Sequence, residues 1–215
     1  SCKISIFIVN GSAMFTGIIT DIGEVVECEV KNGLMRATIQ SHFPLDSIGI
    51  GDSICHDGCC LTVLKMWQDC ESSFYDVDIS PESIELTTLG KWQKGSRMNL
   101  EQSLTLQDKL GGHLVSGHVD GQAQILAITE ESECFKITLR APRELAKYIA
   151  TKGSVTLNGI SLTVNNVSGD DFSIMLIPHT WEHTNFHLLK PKSIVNLEVD
   201  RFARYAERLL EYANG

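Results

Sequence analysis

The chain has 215 residues, of which 43% are hydrophobic and 21% are charged, and its formal net charge is −9. This composition is typical of a water-soluble globular protein of one or two domains. The acidic balance without clustered Lys and Arg disfavours a nucleic-acid surface, and no apolar run approaches the roughly 20 residues that span a membrane.

The seven cysteines favour a reducing compartment. Their number is odd, Cys59 and Cys60 are adjacent, and the chain contains no CxxC pair. Neighbouring residues rarely bridge each other, so a disulfide framework is not expected. No cluster of Cys and His has the spacing of a zinc site. We therefore predict a cytoplasmic protein that uses no metal or other cofactor.

Residues 1–13 (SCKISIFIVNGSA) precede Met14. Their apolar stretch is too short for the hydrophobic region of a signal peptide. The sequence GSA before Met14 resembles a remnant of cloning, so we predict that residues 1–13 are an artificial extension. An ordered N-terminal strand is the alternative.

Short β-strands dominate the predicted elements. In the first half they cover residues 23–30, 34–40, 53–55, 61–66 and 73–79. In the second half they cover residues 121–128, 134–140, 154–157, 162–167 and 172–176. The first two strands flank an Asn-Gly hairpin signal. Turn signals every 8 to 12 residues or so predict small closed β-barrels.

Three helices are predicted, over residues 80–89, 142–152 and 201–212. The last is the clearest, because Phe202, Tyr205, Leu209 and Tyr212 form one apolar stripe. A closed barrel has no free face for such a stripe, which favours contact with another chain. Packing against its own barrel is the alternative.

Four sequence blocks occur twice in the same order, about 100 residues apart, which indicates a duplicated domain. The pairs are 15–18 (FTGI) with 115–118 (VSGH), 57–63 (DGCCLTV) with 158–164 (NGISLTV), 81–87 (PESIELT) with 178–184 (PHTWEHT), and 99–101 with 196–198 (both NLE). We predict an all-β protein with domains at 14–110 and 111–200, followed by a C-terminal helix at 201–215. Two related pockets could hold two copies of one ligand.

The stretch 111–121 (GGHLVSGHVDG) joins the two predicted domains. Its glycines permit tight turns or close approach to a ligand. His113 and His118 would face opposite sides of an extended strand. His118 takes the position of Ile18 in the first repeat, so one pocket gains a side chain suited to acid–base work. A hydrogen-bonded histidine between domains is the alternative.

Cys60 and Ser161 are equivalent in the two repeats, as are Thr62 and Thr163. Each pair follows an Asp-Gly or Asn-Gly turn, where a new strand brings side chains to the mouth of a pocket. Their hydroxyl and thiol groups suit a planar polar ligand. Cys60 is a possible nucleophile or simply a small buried apolar residue, and Ser53 is equally ambiguous.

Several of these motifs together resemble the riboflavin synthase family. They are FTGI after Met14, DGCCLTV, GGHLVSGHV at 111–119, the segment 147–153, NGISLTV, and IPHT at 177–180. The resemblance implies two six-stranded β-barrels and a C-terminal helix that forms the core of a homotrimer. It also implies the conversion of two 6,7-dimethyl-8-ribityllumazine molecules into riboflavin and 5-amino-6-(D-ribitylamino)uracil, with possible functional coupling to lumazine synthase.

The resemblance further implies one lumazine in each barrel, with the active site between the N-barrel of one subunit and the C-barrel of its neighbour. For the N-barrel it implies contacts by Gly17, Ile18, Ile19, Cys60, Leu61, Thr62, Asp78, Ile79, Ser80, Pro81, Glu82 and Ser83. For the C-barrel it implies contacts by Gly117, His118, Val119, Lys152, Ser161, Leu162, Thr163, Met175, Leu176, Ile177, Pro178, His179 and Thr180. The implied catalytic residues are Phe15, Ser53, Cys60 and His118.

This chemistry makes modest demands on the protein. The C7 methyl group of the lumazine is acidic, so the reaction chiefly needs two rings held face to face and a group that moves protons near neutral pH, for which His118 is suited. We expect Cys60 and Ser53 to act by hydrogen bonding and positioning. Which barrel holds the donor stays open. The alternatives are a non-catalytic lumazine- or flavin-binding protein and a β-barrel interaction module.

Overall fold

The computed structural model describes residues 13–70 and 72–214. The predicted extension at residues 1–13 therefore lies, apart from Ala13, outside the described residues. In the described part, no helix is both long and apolar enough to cross a membrane.

Twelve strands form two closed antiparallel barrels in the described chain. The N-barrel contains β1 (Asp21–Lys31), β2 (Leu34–Ser41), β3 (Ser53–His56), β4 (Cys59–Asp69), β5 (Ser72–Ile79) and β6 (Arg97–Gln102). The C-barrel contains β7 (Gly121–Glu131), β8 (Cys134–Arg140), β9 (Ser154–Leu157), β10 (Ile160–Ser168), β11 (Asp171–Leu176) and β12 (Ile194–Val199). The strand order β1-β2-β5-β4-β3-β6 returns as β7-β8-β11-β10-β9-β12, so the predicted duplicated six-stranded barrels are confirmed.

The helices are shorter than predicted, except at the C-terminus. They are α1 (Pro81–Leu86), α2 (Arg143–Ala146), α3 (Pro178–Glu182) and α4 (Arg201–Asn214), with 3-10 turns at Leu45–Ser47, Thr88–Lys91 and Asn185–Leu188. The prediction of helix over 142–152 is wrong beyond Ala146. There the chain turns towards β9, and Lys152 takes a left-handed conformation with φ +68° that ends any helix.

Each barrel encloses its own apolar core, built by alternation along the strands. In β5 the inward-facing Tyr75, Val77 and Ile79 are fully buried, and in β8 the same holds for Ile137 and Leu139. Removing apolar surface from water stabilises a fold by about 25 cal/mol per Å². Two separate cores are therefore consistent with two tandem domains.

The closing strands β6 and β12 escaped sequence prediction because they do not alternate. Four successive residues, 98–101, are buried in β6, and they include Asn99 and Glu101. In β12 the equivalent Asn196 and Glu198 are buried as well. These polar side chains have partners outside their own barrel wall, which a pattern of hydrophobicity cannot reveal.

A buried network of amide side chains joins the two barrels. Asn196 Nδ2 donates to the Asp57 carbonyl oxygen at 2.8 Å, and the equivalent Asn99 Nδ2 donates to the Asn158 carbonyl oxygen at 2.9 Å. Asn185 Nδ2 donates to Asp57 Oδ1 at 2.9 Å. Among the described residues, no Lys, Arg or His forms an ion pair with Asp57. The network therefore holds one acid where the second repeat has the neutral Asn158.

The substitution Asp57→Asn should stabilise the protein at pH 8. Burial raises the pKa of Asp57 from 3.8 to about 7. Between pH 4 and 7 the folded state holds a proton that the unfolded state releases, so the free energy of unfolding falls as pH rises through that window, by at most roughly 4 kcal/mol. Asp57 and Asn158 share a φ of +46°, so the backbone accepts Asn.

Thermal melts at pH 4 and pH 8 check this prediction. We expect the melting temperature of Asp57→Asn to exceed that of the wild type by several degrees at pH 8 and to match it at pH 4. The exposed Asp46 provides the control substitution Asp46→Asn, which should change neither value. A lower melting temperature for Asp57→Asn at pH 8 would contradict the assignment.

Candidate functional site

A cavity of about 310 Å³ opens at the mouth of the N-barrel, where β4 and β5 meet α1. Its lining residues are Cys60, Leu61, Thr62, Leu64, Asp78, Ser80 and Ser83. Six of these seven residues belong to the predicted N-barrel site. The turn at Asp57 and Gly58 starts β4 and presents Cys60, while Ser80 caps α1 by accepting a hydrogen bond from the Ser83 N–H at 3.1 Å.

The segment that leads into β7 completes this N-barrel mouth. The Cys60 N–H donates to the carbonyl oxygen of Gly117 at 2.8 Å. A Cβ atom on Gly117 would lie 2.7 Å from Cys60 Cβ, and Gly117 has a φ of +74°, so only glycine fits there. Val119 packs into the apolar core of the N-barrel.

The reciprocal contact builds the mouth of the C-barrel. The Ser161 N–H donates to the carbonyl oxygen of Gly17 at 2.8 Å, and a Cβ atom on Gly17 would lie 2.5 Å from Ser161 Cβ. Ile19 packs against the C-barrel core. The resemblance assigned residues 17–19 to the N-barrel and 117–119 to the C-barrel. In the structure Gly17 and Ile19 contact the C-barrel, and Gly117 and Val119 contact the N-barrel. Ile18 and His118 line cavities among residues of their own barrels.

The two segments cross because they pair with each other between the barrels. Phe15 and Val115 form an antiparallel bridge, with the Phe15 N–H donating to the Val115 carbonyl oxygen at 2.8 Å. Phe15 is fully buried against Cys55, Val115 and Cys60. Phe15, which was predicted to be catalytic, therefore packs in the same apolar cluster as Cys60 and is not exposed to solvent.

Cys60 is a neutral thiol at neutral pH. Burial raises its pKa, the nearby Glu198 carboxylate adds to that rise, and a hydrogen bond with Ser53 opposes it. Ser53 lies on β3, where it pairs with Thr62 of β4. A raised pKa reduces the fraction of reactive thiolate. The structure thus places Cys60 and Ser53 on the adjacent strands β4 and β3.

At the C-barrel mouth, Ser161 is held by a histidine that our site prediction left out. His113 Nδ1 lies 2.6 Å from Ser161 Oγ, and His113 Nε2 lies 3.1 Å from Thr156 Oγ1. Burial lowers the pKa of His113, against an opposing charge effect of Asp200, which favours the neutral ring. In the first repeat, the equivalent position is Ala13, which packs against the cluster of Phe15, Cys55 and Val115. The Gly-Gly-His stretch signalled His113, but its spacing did not reveal the partner.

His118 lies beside the Cys60 cavity and not inside it. Its exposed side chain lines a separate cavity of about 300 Å³, together with Ser116, Asp120, Glu198, Val199, Arg201, Arg204 and Tyr205. In the first repeat, the equivalent Ile18 lines a larger cavity of about 860 Å³, which also contains Ser53. The backbone of Gly117 connects His118 to Cys60.

The remaining predicted residues divide by exposure. Ile79 and Leu176 are buried in the barrel cores, and Leu162 is nearly so. Exposed or partly exposed are Pro81, Glu82, Lys152, Thr163, Met175, Ile177, Pro178, His179 and Thr180. Most of the C-barrel members lie on β10, β11 and α3, in the same relation as β4, β5 and α1 at the N-barrel mouth. Within the described residues, no group of three or more His, Cys, Asp or Glu side chains could hold a metal ion.

Comparison with known proteins assigns the family. The family described as "Lumazine binding domain" matches residues 16–103 and again residues 116–200. Riboflavin synthase of Brucella abortus is 46% identical over 200 residues, covering 93% of this chain and 99% of that protein. Riboflavin synthase of Bacillus subtilis is 39% identical, covering 94% and 92%. The chain belongs to the riboflavin synthase family.

Solved structures share the fold of this chain. The structure of LumP complexed with riboflavin is 27% identical with a TM-score of 0.76, covering 86% of this chain and 99% of that one. LumP complexed with 6,7-dimethyl-8-(1'-D-ribityl) lumazine is 26% identical with a TM-score of 0.73 and the same coverage. The predicted resemblance to riboflavin synthase is confirmed by the family match and the synthase relatives.

In this member of the riboflavin synthase family, Cys60 should react slowly with iodoacetamide at pH 7. Its raised pKa keeps it a thiol, whereas Cys70 is exposed to solvent. We expect Cys70 to be alkylated at least about tenfold faster, and the rate at Cys60 to increase above pH 9. Mass spectrometry of peptides from the wild type and from Cys70→Ser measures both rates. Faster alkylation of Cys60 at pH 7 would instead indicate an activated nucleophile.

Proposed function

We propose that this protein is a riboflavin synthase, a transferase of riboflavin biosynthesis. It converts two molecules of 6,7-dimethyl-8-ribityllumazine into riboflavin and 5-amino-6-(D-ribitylamino)uracil by transfer of a four-carbon unit. The observation that carries this proposal is the family membership of both repeats over nearly the whole chain. The presence of two related mouths on one chain agrees with a reaction between two copies of one substrate.

Positioning supplies most of the catalysis in this proposal. The C7 methyl group of lumazine loses a proton readily, because the resulting anion is delocalised into the ring. Holding two rings face to face then converts an encounter of two molecules into an effectively intramolecular step. The hydroxyls of Thr62, Ser80 and Ser83 at the N-barrel mouth suit the polar edge and the ribityl chain of one substrate.

The two mouths differ in the groups that they offer the ring. We propose that the N-barrel uses the neutral Cys60 thiol with Ser53, and that the C-barrel uses the Ser161 hydroxyl held by His113. His118 supplies an imidazole, which accepts and donates protons near neutral pH. This difference gives two identical substrates different surroundings, as a donor and an acceptor require.

We also propose that the working form is a homotrimer joined by α4, with each active site between the N-barrel of one subunit and the C-barrel of the next. Helix α4 contacts its own barrel through ion pairs of Arg204 with Asp120 and of Lys147 with Glu207. Its apolar residues point away from that barrel. Phe202, Tyr205, Leu209, Leu210 and Tyr212 are each at least 63% exposed. Such a patch favours association with other chains.

The proposed setting is the cytoplasm, with functional coupling to lumazine synthase. Free thiols support this location, since the six cysteines of the described residues are all unpaired. An enzyme that produces 6,7-dimethyl-8-ribityllumazine must supply the substrate, and coupling would keep its local concentration high.

Incubation with 6,7-dimethyl-8-ribityllumazine, without metal or added cofactor, tests the reaction. We expect one riboflavin to form for every two lumazines consumed. Riboflavin fluorescence measures the product. His118→Ala should reduce kcat by at least about tenfold, because a proton-transfer group is lost. Cys60→Ala should also reduce kcat, and Cys60→Ser should retain most of it, since a hydroxyl still forms hydrogen bonds.

A matched control is available at an exposed position. Cys70→Ala removes a thiol from an exposed site outside both mouths and should leave kcat unchanged. Tight lumazine binding by the wild type without formation of riboflavin would identify a carrier protein and rule out the synthase.

The double substitution Phe202→Glu and Leu209→Glu tests the trimer. Charges on the exposed face of α4 should prevent association, so sedimentation should change from three chain masses to one. Activity should be lost while each barrel still binds lumazine. A control charge reversal on the opposite side of α4, Glu211→Lys, should preserve the trimer. A wild type that sediments as an active monomer would contradict the proposal.

A further inference from the structure

We propose that Glu198 is a positioning residue of the reaction, which fixes the segment carrying His118 and the carbonyl group that seats Cys60. This inference rests on the proposed function. Glu198 lies on β12, in the closing strand of the C-barrel, and was absent from the predicted site.

The Glu198 carboxylate accepts four hydrogen bonds from three successive residues. Its Oε1 accepts from the Ser116 N–H and from Ser116 Oγ, both at 2.7 Å. Its Oε2 accepts from the Gly117 N–H at 2.9 Å and from the His118 N–H at 3.1 Å. Three converging backbone N–H groups form a small anion-binding nest, and the left-handed Gly117, with φ +74°, allows them to converge.

The carboxylate is well suited to hold this segment rigidly. Glu198 is 4% exposed, so water competes little for its oxygens. Burial raises its pKa, the hydrogen bonds from Ser116 and Gly117 oppose that rise, and the Asp120 charge adds to it. No ion pair joins Glu198 to a basic side chain in the described residues. The nest therefore provides the donors that keep this buried group satisfied.

Two functional groups depend on the segment that Glu198 holds. On one side, the Gly117 carbonyl oxygen accepts the Cys60 N–H at 2.8 Å. On the other, His118 enters the cavity that Glu198 also lines. A shift of this segment would therefore change both the orientation of the imidazole and the position of the thiol. Misplacement of reacting groups by about 1 Å can reduce a rate about 100-fold.

The first repeat contains a matched carboxylate. Glu101 accepts hydrogen bonds from the Thr16 N–H at 2.7 Å, from Thr16 Oγ1 at 2.6 Å and from the Gly17 N–H at 2.9 Å. It is 5% exposed. The segment that it holds seats Ser161 through Gly17 but carries Ile18 where the second repeat has His118. Glu101 therefore shares the structural duty of Glu198 without an imidazole to position.

Kinetics of Glu198→Gln and Glu101→Gln test the proposal. The Gln side chain has one oxygen acceptor, so at least one backbone N–H loses its partner in each variant. The two variants therefore carry comparable structural defects. Glu198→Gln should reduce kcat by at least about tenfold with KM within about threefold of the wild type. Glu101→Gln should chiefly raise KM, with kcat within about threefold.

A double-mutant cycle with His118→Ala provides a readout that simple destabilisation would not give. Because Glu198 positions Cys60 as well as His118, Glu198→Gln should reduce kcat by a clearly smaller factor in the His118→Ala background than in the wild type. The effects of Glu101→Gln and His118→Ala should multiply. Thermal melts and lumazine binding of each variant establish that the fold and the mouths are intact.

A milder pair of variants covers the case in which Glu198→Gln does not fold. Ser116→Ala removes only the hydroxyl contact to Glu198, and Thr16→Val removes the equivalent contact to Glu101. Ser116→Ala should reduce kcat, by a smaller factor in the His118→Ala background than in the wild type, whereas the effect of Thr16→Val should be equal in the two backgrounds.

Two results would overturn the inference. Effects of Glu198→Gln, or of Ser116→Ala, that multiply with His118→Ala would show that the carboxylate does not act through the imidazole. Equal losses of kcat in Glu198→Gln and Glu101→Gln would show a purely structural role. The failure of the wild type to form riboflavin is a separate result, which would overturn the proposed function and this inference with it.

Discussion

The crossing of two short segments between the barrels is the constraint on which the rest of the structure depends. The Cys60 N–H binds the Gly117 carbonyl oxygen and the Ser161 N–H binds the Gly17 carbonyl oxygen, both at 2.8 Å. Part of each barrel's mouth is thus formed by the segment that leads into the other barrel. Because a Cβ atom at either glycine would collide with the opposite strand, this exchange requires glycine at both positions. Neither mouth is complete in an isolated barrel.

Buried polar side chains keep this crossing in place. Glu101 and Glu198 bind the N–H groups of the crossing segments, while Asn99 and Asn196 bind carbonyl oxygens of the facing turns. Buried polar groups are costly unless they are hydrogen-bonded. Only one relative arrangement of the barrels satisfies all of these groups, so the network specifies geometry even where its net contribution to stability is small.

Duplication followed by divergence gives one chain two related mouths with different side chains. The scaffold is the same in both repeats, down to strand order and the paired glycines. The repeats differ at the mouths among other places. Cys60 and Ser53 in the first repeat correspond to Ser161 and its partner His113 in the second, and Ile18 corresponds to His118. A repeated scaffold with different side chains in its two copies suits a reaction in which one substrate molecule donates a four-carbon unit and a second, identical molecule accepts it.

The sequence by itself determined the duplication, the barrels and the family, because these depend on local patterns: alternating strands, turn residues and repeated blocks. It also drew attention to Cys60 and Thr62, which line one cavity, and to Ser53, which lines another, since strand starts after tight turns have predictable positions. It missed β6 and β12, whose buried Asn and Glu residues break the hydrophobic alternation.

Only the tertiary structure decided which segment serves which barrel, and which partners His113, Glu101 and Glu198 take. These pairings join residues that are far apart in the chain, such as Ser116 and Glu198. Their hydrogen bonds form only once both barrels are closed and docked. A local sequence pattern cannot reveal contacts that form only between the two docked barrels. The contacts of the crossing segments are of this type.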